Sequence, residues 1–271
     1  MNSKYTILIN SCDKYEDLWH PFFYFLEKNH NELNKETIVL NTESKSYTYK
    51  NLNIINYPAT KEETWSERLK RNLKQIETEY VLFFLDDFFV EQKIDKAKVE
   101  FCLNEMEKDK NIVHFGFVPT LWENIDDKKY SDFEKRKKNS PFIVNTQIGL
   151  WRKNELIKLL RAHETPWEFE VFASIRSRLR KGKYYIAKDG MPQAFIYDWF
   201  NGGAVHKGKW TKRAVELLNE NNFNIDFSNR NFDEDTVYHP KDIPLKPMEK
   251  NIFGRLLIRI GVLFKNWKSL I

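Results

Sequence analysis

Residues 78–89 read TEYVLFFLDDFF, from Thr78 to Phe89. Tyr80 to Leu85 is an unbroken apolar run of six residues, too short for an ordinary helix and without alternation. A strand of that kind is covered on both faces, as in an open α/β sheet. Two carboxylates, Asp86 and Asp87, follow at once. Such sheets bind ligands beyond the carboxyl ends of their strands, so the pair stands where a crevice is expected. Adjacent carboxylates repel, and a divalent cation, Mn2+ or Mg2+, is their natural partner. The plainer reading is a turn that carries two solvated aspartates.

Outward from this strand, helical and extended patterns alternate. Residues 4–11 (KYTILINS), 37–41 (TIVLN) and 53–57 (NIINY) read as strands. Residues 17–28 read as a helix, and so do 61–77, where Trp65, Leu69, Leu73 and Ile76 recur at helical spacing. A helix over 91–110 and a strand over 112–118 follow, with His114 expected as a satisfied core histidine. Residues 123–140 are charged and glycine-free, and read as a mobile loop or short helix. Then come a strand over 142–151, helices over 154–162 and 166–180, and a strand over 193–199. Thr165 is the expected N-cap of the second of these helices and Pro166 suits its first turn. The order predicts an α/β fold, a Rossmann-related mixed sheet flanked by helices over residues 1–245, with residues 246–271 as a helical appendage.

The 271-residue chain is 41% hydrophobic and 15% aromatic, ample for a packed core. Its 44 basic and 39 acidic residues leave a net charge of +5, which gives no reason to expect a nucleic-acid partner. Cys12 and Cys102 form no CxxC or Cys/His spacing, so a disulfide framework or zinc module is not expected and a reducing, cytoplasmic compartment fits. The N-terminal apolar run is too short for a signal peptide, and no apolar stretch is long enough for a spanning helix.

No glycine precedes Gly116, which excludes a GxGxxG turn, a P-loop or a glycine-rich nucleotidyltransferase loop in the first half. A metal held by aspartates is the other common means of neutralising a diphosphate. At this point the chain resembles bacterial GT-A-fold glycosyltransferases of the capsular and surface-polysaccharide type. The resemblance rests on Ser11-Cys12-Asp13 after the first strand, on the helix Trp65-Ser66-Glu67-Arg68 to Ile76 with its Arg71-Asn72 pair, and on TEYVLFFLDDFF. It implies a metal-dependent sugar transfer from a nucleotide-sugar donor, a UDP-sugar favoured, to a glycan or lipid-linked acceptor. It also implies that Ser11, Asp13 and Asn41 lie near the nucleobase and ribose, with Arg68 and Arg71 on the donor side. The family's metal motif is DxD or a variant, whereas position 88 here is Phe88.

Two later stretches carry further candidates. In HETPWEFE, residues 163–170, Glu168 and Glu170 open a helix. Either they decorate the N-terminus, where acids are favoured, or one deprotonates an acceptor hydroxyl, which makes the transfer inverting. Glu170 is the preferred base and Glu168 suits capping or acceptor binding. In NGGAVHKGKW, residues 201–210, His206 is a candidate third metal ligand, and Lys207 and Lys209 are candidate diphosphate contacts. The alternative there is a surface loop with solvated lysines.

Residues 251–271 place Arg255, Arg259, Lys265 and Lys268 opposite an apolar arc, with no acid after Glu249. That is the profile of a helix lying in an anionic membrane surface, which predicts a peripheral protein on the inner face of the cell membrane. The alternative is packing on the chain's own domain or on a second subunit. Rival functional classes are a nucleotidyltransferase, a nuclease and a non-catalytic membrane-associated sugar-nucleotide-binding protein.

Overall fold

A computed structural model describes residues 3–59, 62–120 and 122–233. Its elements are β1 (Tyr5–Asn10), α1 (Glu16–Asn29), β2 (Thr37–Asn41), β3 (Asn53–Asn56), α2 (Trp65–Gln75), β4 (Tyr80–Leu85) and α3 (Lys96–Lys108). They continue with β5 (Ile112–Gly116), β6 (Asn124–Asp126), β7 (Phe133–Arg136), β8 (Gly149–Arg152), α4 (Lys153–Leu159), α5 (Pro166–Ser177) and β9 (Lys183–Ala187). A short hairpin, β10 (Val205–His206) and β11 (Lys209–Trp210), precedes α6 (Lys212–Glu220).

Nine strands form one mixed sheet in the order β3-β2-β1-β4-β8-β5-β9-β7-β6. The first four are parallel, while β8 runs antiparallel between β4 and β5. Ile7, Ile9, Leu82 and Phe84 join the core shared with α1, α3 and α6, whereas Leu8, Val81 and Phe83 join that shared with α2, α4 and α5. Both faces of β1 and β4 are therefore covered, which accounts for runs without alternation. Burying each of these side chains stabilises the fold by about 2 kcal/mol.

Several segments depart from the sequence reading. Residues 123–140 contain the antiparallel pair β6–β7, which extends the sheet instead of forming a loop or helix. Phe133 is buried there, and the charged residues suit an outermost strand pair, where they deter pairing with another chain. The strand expected over 142–151 is confined to 149–152. The amides of Val144 and Thr146 go to side chains of α5, Ser174 Oγ at 3.1 Å and Glu170 Oε1 at 2.7 Å, so no neighbouring strand receives them. Residues 193–199 are not a strand either, since the Ala194 and Ile196 carbonyls accept from Asp95 and Glu91 in an irregular segment. That segment also delays α3 to Lys96, where Asp95 caps the Lys98 amide at 3.0 Å.

His114 is buried and stacks on Trp151 with ring centroids 4.0 Å apart, but neither ring nitrogen has a hydrogen-bond partner. It is a core histidine and not a satisfied one. Burial, helped by the nearby Arg136 charge, lowers its pKa to about 3. The appendage at 246–271 lies outside the described residues. Among the described residues no helix is long and apolar enough to cross a membrane.

Candidate functional site

The chain passes from β1 outward to β2 and β3, then returns to place β4 on the other side of β1. The strand order reverses between β1 and β4, which is where open α/β sheets form their ligand crevice. Asn10 pairs with Leu85 at the carboxyl ends of the two strands, so Ser11 and Asp86 emerge side by side. The Ser11 hydroxyl donates to Asp86 Oδ2 and accepts from Trp19 Nε1 at 2.7 Å. Asp86 is buried, and Asp87 is half-buried with its Oδ1 enclosed and without a hydrogen-bond partner.

The electrostatics follow from this enclosure. Burial pushes the Asp86 carboxyl up to about 7, with the Ser11 hydroxyl opposing. Burial and then the neighbouring Asp86 charge raise Asp87 well above the ordinary carboxylate range. The guanidinium of Arg230 partly offsets both. Arg230 is held by Asp17 at 2.5 and 2.6 Å and lies 4.3 Å over the Tyr15 ring. Nothing in the sequence around Arg230 pointed to this place.

A late loop closes against the same pair. The Ala204 amide donates to the Asp87 carbonyl at 2.7 Å. Gly203 has φ +101, and a Cβ there would stand 2.6 Å from that carbonyl oxygen, so only glycine fits. Beyond it, Lys207 and Gly208, at φ +50 and +81, form the two-residue turn of the β10–β11 hairpin. Lys207 and Lys209 are exposed on this hairpin. His206 meets Asp233, Nδ1 to Oδ2 at 2.6 Å. Among the described residues no group of three His, Cys, Asp or Glu could hold a metal ion, so His206 is not gathered with Asp86 and Asp87.

The other donor-side candidates are occupied within the fold. Asp13 accepts from the amides of Glu43, Ser44 and Lys45 and from the Ser44 hydroxyl, tying the end of β1 to the loop after β2. Asn41 is fully buried between Asn10 and Asn72, accepting from Asn72 Nδ2 at 2.8 Å. Arg68 donates to Glu43 Oε1 at 2.5 Å and to the Ser11 carbonyl at 2.9 Å, bracing the crevice wall. Arg71 is turned to Glu63 and the Tyr57 carbonyl.

Thr165 and Glu168 form a reciprocal capping box at the start of α5, so Glu168 serves the helix terminus. Glu170 is half-buried and takes both the amide and the hydroxyl of Thr146 on Oε1, each at 2.7 Å. Burial raises its pKa, and the two Thr146 donors oppose the rise. Gln147, next in the chain, accepts from the Tyr197 hydroxyl at 2.5 Å, and the Tyr197 ring packs 4.6 Å from Phe88. Because β8 is antiparallel to β4, residues 146–147 approach from the edge where Asp86 and Asp87 emerge. Thr146 and Tyr197 were not singled out in the sequence, since their roles arise only from long-range packing.

No protein-family model matches this chain, and no curated protein matches its sequence. In structure it is similar to S. aureus TarS 1–349, at a TM-score of 0.48 and 12% identity over 70% of this chain and 59% of that one. The complex of TarS 1–349 with UDP-GlcNAc gives a TM-score of 0.47 and 12% identity, covering 84% and 69%. The 2-C-methyl-D-erythritol 4-phosphate cytidylyltransferase from Thermus thermophilus gives 0.43 and 11%, covering 82% and 99%. The chain thus spans under two thirds of the first of these proteins. The fold class rests on the chain's own mixed sheet and helical layers.

Proposed function

We propose that this chain is a glycosyltransferase that moves a sugar from a nucleotide-sugar donor, a UDP-sugar favoured, to a hydroxyl of a glycan or lipid-linked acceptor. Asp86 and Asp87 are the residues that would hold Mn2+ or Mg2+. The observation that carries the reading is the enclosed Asp87 carboxylate oxygen with no donor, beside a second buried acid at the switch point of the sheet. A buried uncompensated charge is costly, and a cation removes the cost. Two protein carboxylates suit a hard cation that takes its remaining ligands from phosphate and water. When bound, the ion would neutralise charge on the diphosphate leaving group.

The chain's own groups supply the rest. Arg230 is the late basic residue beside the acid pair, and Lys207 and Lys209 are further diphosphate contacts in this reading. Thr146 fixes one oxygen of Glu170, so the other is left to accept the acceptor's proton as the hydroxyl attacks, which inverts the anomeric centre. His206 is engaged by Asp233 and is not needed as a ligand. Docking of residues 251–271 on an anionic membrane belongs to the proposal as well.

Nucleotidyl transfer is the rival on a sheet of this kind, and the products separate the two. Incubation of the full chain with UDP-, GDP- and TDP-sugars and Mn2+ should release a nucleoside diphosphate with at least one donor. Release of pyrophosphate from nucleoside triphosphates, with no sugar nucleotide bound or consumed, would replace sugar transfer with nucleotidyl transfer.

A further inference from the structure

Leu179 is 89% exposed, more than any other large apolar side chain among the described residues. It sits in the turn between α5 and β9, inside RSRLRKGK, residues 176–183, which holds five basic residues and no acid. The Arg178 guanidinium donates to the Asn139 carbonyl at 3.5 Å, joining this turn to the end of β7. There EKRKKN, residues 134–139, contributes four basic residues against one acid. Arg136 and Arg176 are buried, and Lys137, Arg180 and Lys183 pair with Glu123, Glu155 and Asp109. Lys138 and Lys181 are exposed, and Lys181 lies two residues beyond Leu179 in the chain.

We propose that this turn docks on an anionic lipid bilayer, with Leu179 entering the interface and Lys138 and Lys181 facing lipid phosphates. A soluble polyanion would engage the cations and leave Leu179 in water. A bilayer offers negative charge above an apolar layer, which complements both features at once. The surface is separate from residues 251–271 and does not depend on the sugar-transfer reading. It also sets an orientation. The start of β9 lies at the sheet edge opposite the acid pair, since β9 and β4 both run parallel to β5. Docking at this turn therefore holds Asp86 and Asp87 about one strand length, ~20 Å, from the bilayer. An acceptor anchored in that bilayer has to extend by that much.

The test uses the full chain with Cys12→Ser and Leu179→Cys, carrying a nitroxide at position 179, because Cys102 is buried. Vesicles of phosphatidylcholine with roughly one third phosphatidylglycerol should raise collisions of the label with oxygen and lower those with a water-soluble nickel chelate. Pure phosphatidylcholine should do neither. Lys138→Gln with Lys181→Gln should weaken partitioning at low salt by about 30-fold. Protein bound to the anionic vesicles with its label still in water overturns the proposal, and so does absence of binding. Binding of polyphosphate with Leu179→Ser at wild-type strength, the label again staying in water, would make this a polyanion site and also overturn it.

Discussion

Asp13 and Asp87 follow the carboxyl ends of adjacent parallel strands, yet their surroundings are opposite. Asp13 takes three backbone amides and a hydroxyl from residues 43–45. Burial pulls its pKa up, but the Ser44 hydroxyl and these amides pull harder, and the carboxyl ends below its ordinary value. Asp87 has an enclosed oxygen with no donor and a second acid alongside, and its carboxyl is driven up. An acid saturated with donors holds the fold together. An acid left short of them destabilises the fold until something positive arrives, and that distinction, more than the Asp-Asp motif, makes Asp87 a site candidate.

The largest effect that tests this contrast comes from Asp86→Asn with Asp87→Asn. The double variant should lose metal-dependent nucleotide binding altogether, read as disappearance of the Mn2+-dependent rise in Tm with UDP. The empty protein should respond the other way. The Asp86 carboxyl stands at about 7 in the fold against 3.8 ordinarily, so between those values the folded state binds more protons than the unfolded. Stability then falls as pH rises through that window. Loss of the charge should make the metal-free variant more stable than wild type at pH 8, on the order of 4 kcal/mol for a displacement of that size. A metal-free variant that is less stable at pH 8 would place these acids among the supporting residues, with Asp13.

Asp13→Ala tests the other side. It strands amides of the loop after β2 and should cost about 2 kcal/mol in denaturant unfolding, while Mn2+ binding at Asp86 and Asp87 persists. The sign with pH is reversed. A depressed carboxyl stabilises the fold above its unfolded pKa and loses that contribution as pH falls through the folded one, so wild type and variant should converge in acid. A variant of unchanged stability with lost nucleotide binding would move Asp13 back to the ribose, as the family resemblance implies.

The two halves of the sheet were unequally legible. Tyr80–Leu85 could be bounded to the residue because a strand buried on both faces writes itself as a continuous apolar run. In the half from β8 to β6, the amides of Val144 and Thr146 are satisfied by side chains of α5, and periodicity carries no trace of that. KYYIA, which forms β9, is short and follows a basic turn, and it was not singled out. Among the site residues, the acid pair was visible because two charges interrupt an apolar pattern. Asn41 looked available for a ligand because a sequence cannot show that a polar side chain is closed into an Asn10–Asn41–Asn72 chain. Arg230 approaches from far along the chain, and only the folded path brings it to Asp86 and Asp87.

Glu170 falls between the two kinds of acid, since it has donors on one oxygen and burial still raises its pKa. Thr146→Val keeps the amide bond and the side-chain outline and removes the hydroxyl. A donor that favours the ionised form is then lost, so the carboxyl moves further up and the acid limb of the rate profile shifts to higher pH. With about 1.4 kcal/mol less support for the carboxylate, turnover below that limb should drop roughly tenfold. The KM for the nucleotide-sugar should hold, because the proposed reaction puts Glu170 on the acceptor, and Thr146→Ser should restore the profile. A parallel fall at every pH would mean that Thr146 only shapes the loop. An unshifted limb with full activity would remove Glu170 as the titrating base and leave it nearer to Asp13 in kind than to Asp87.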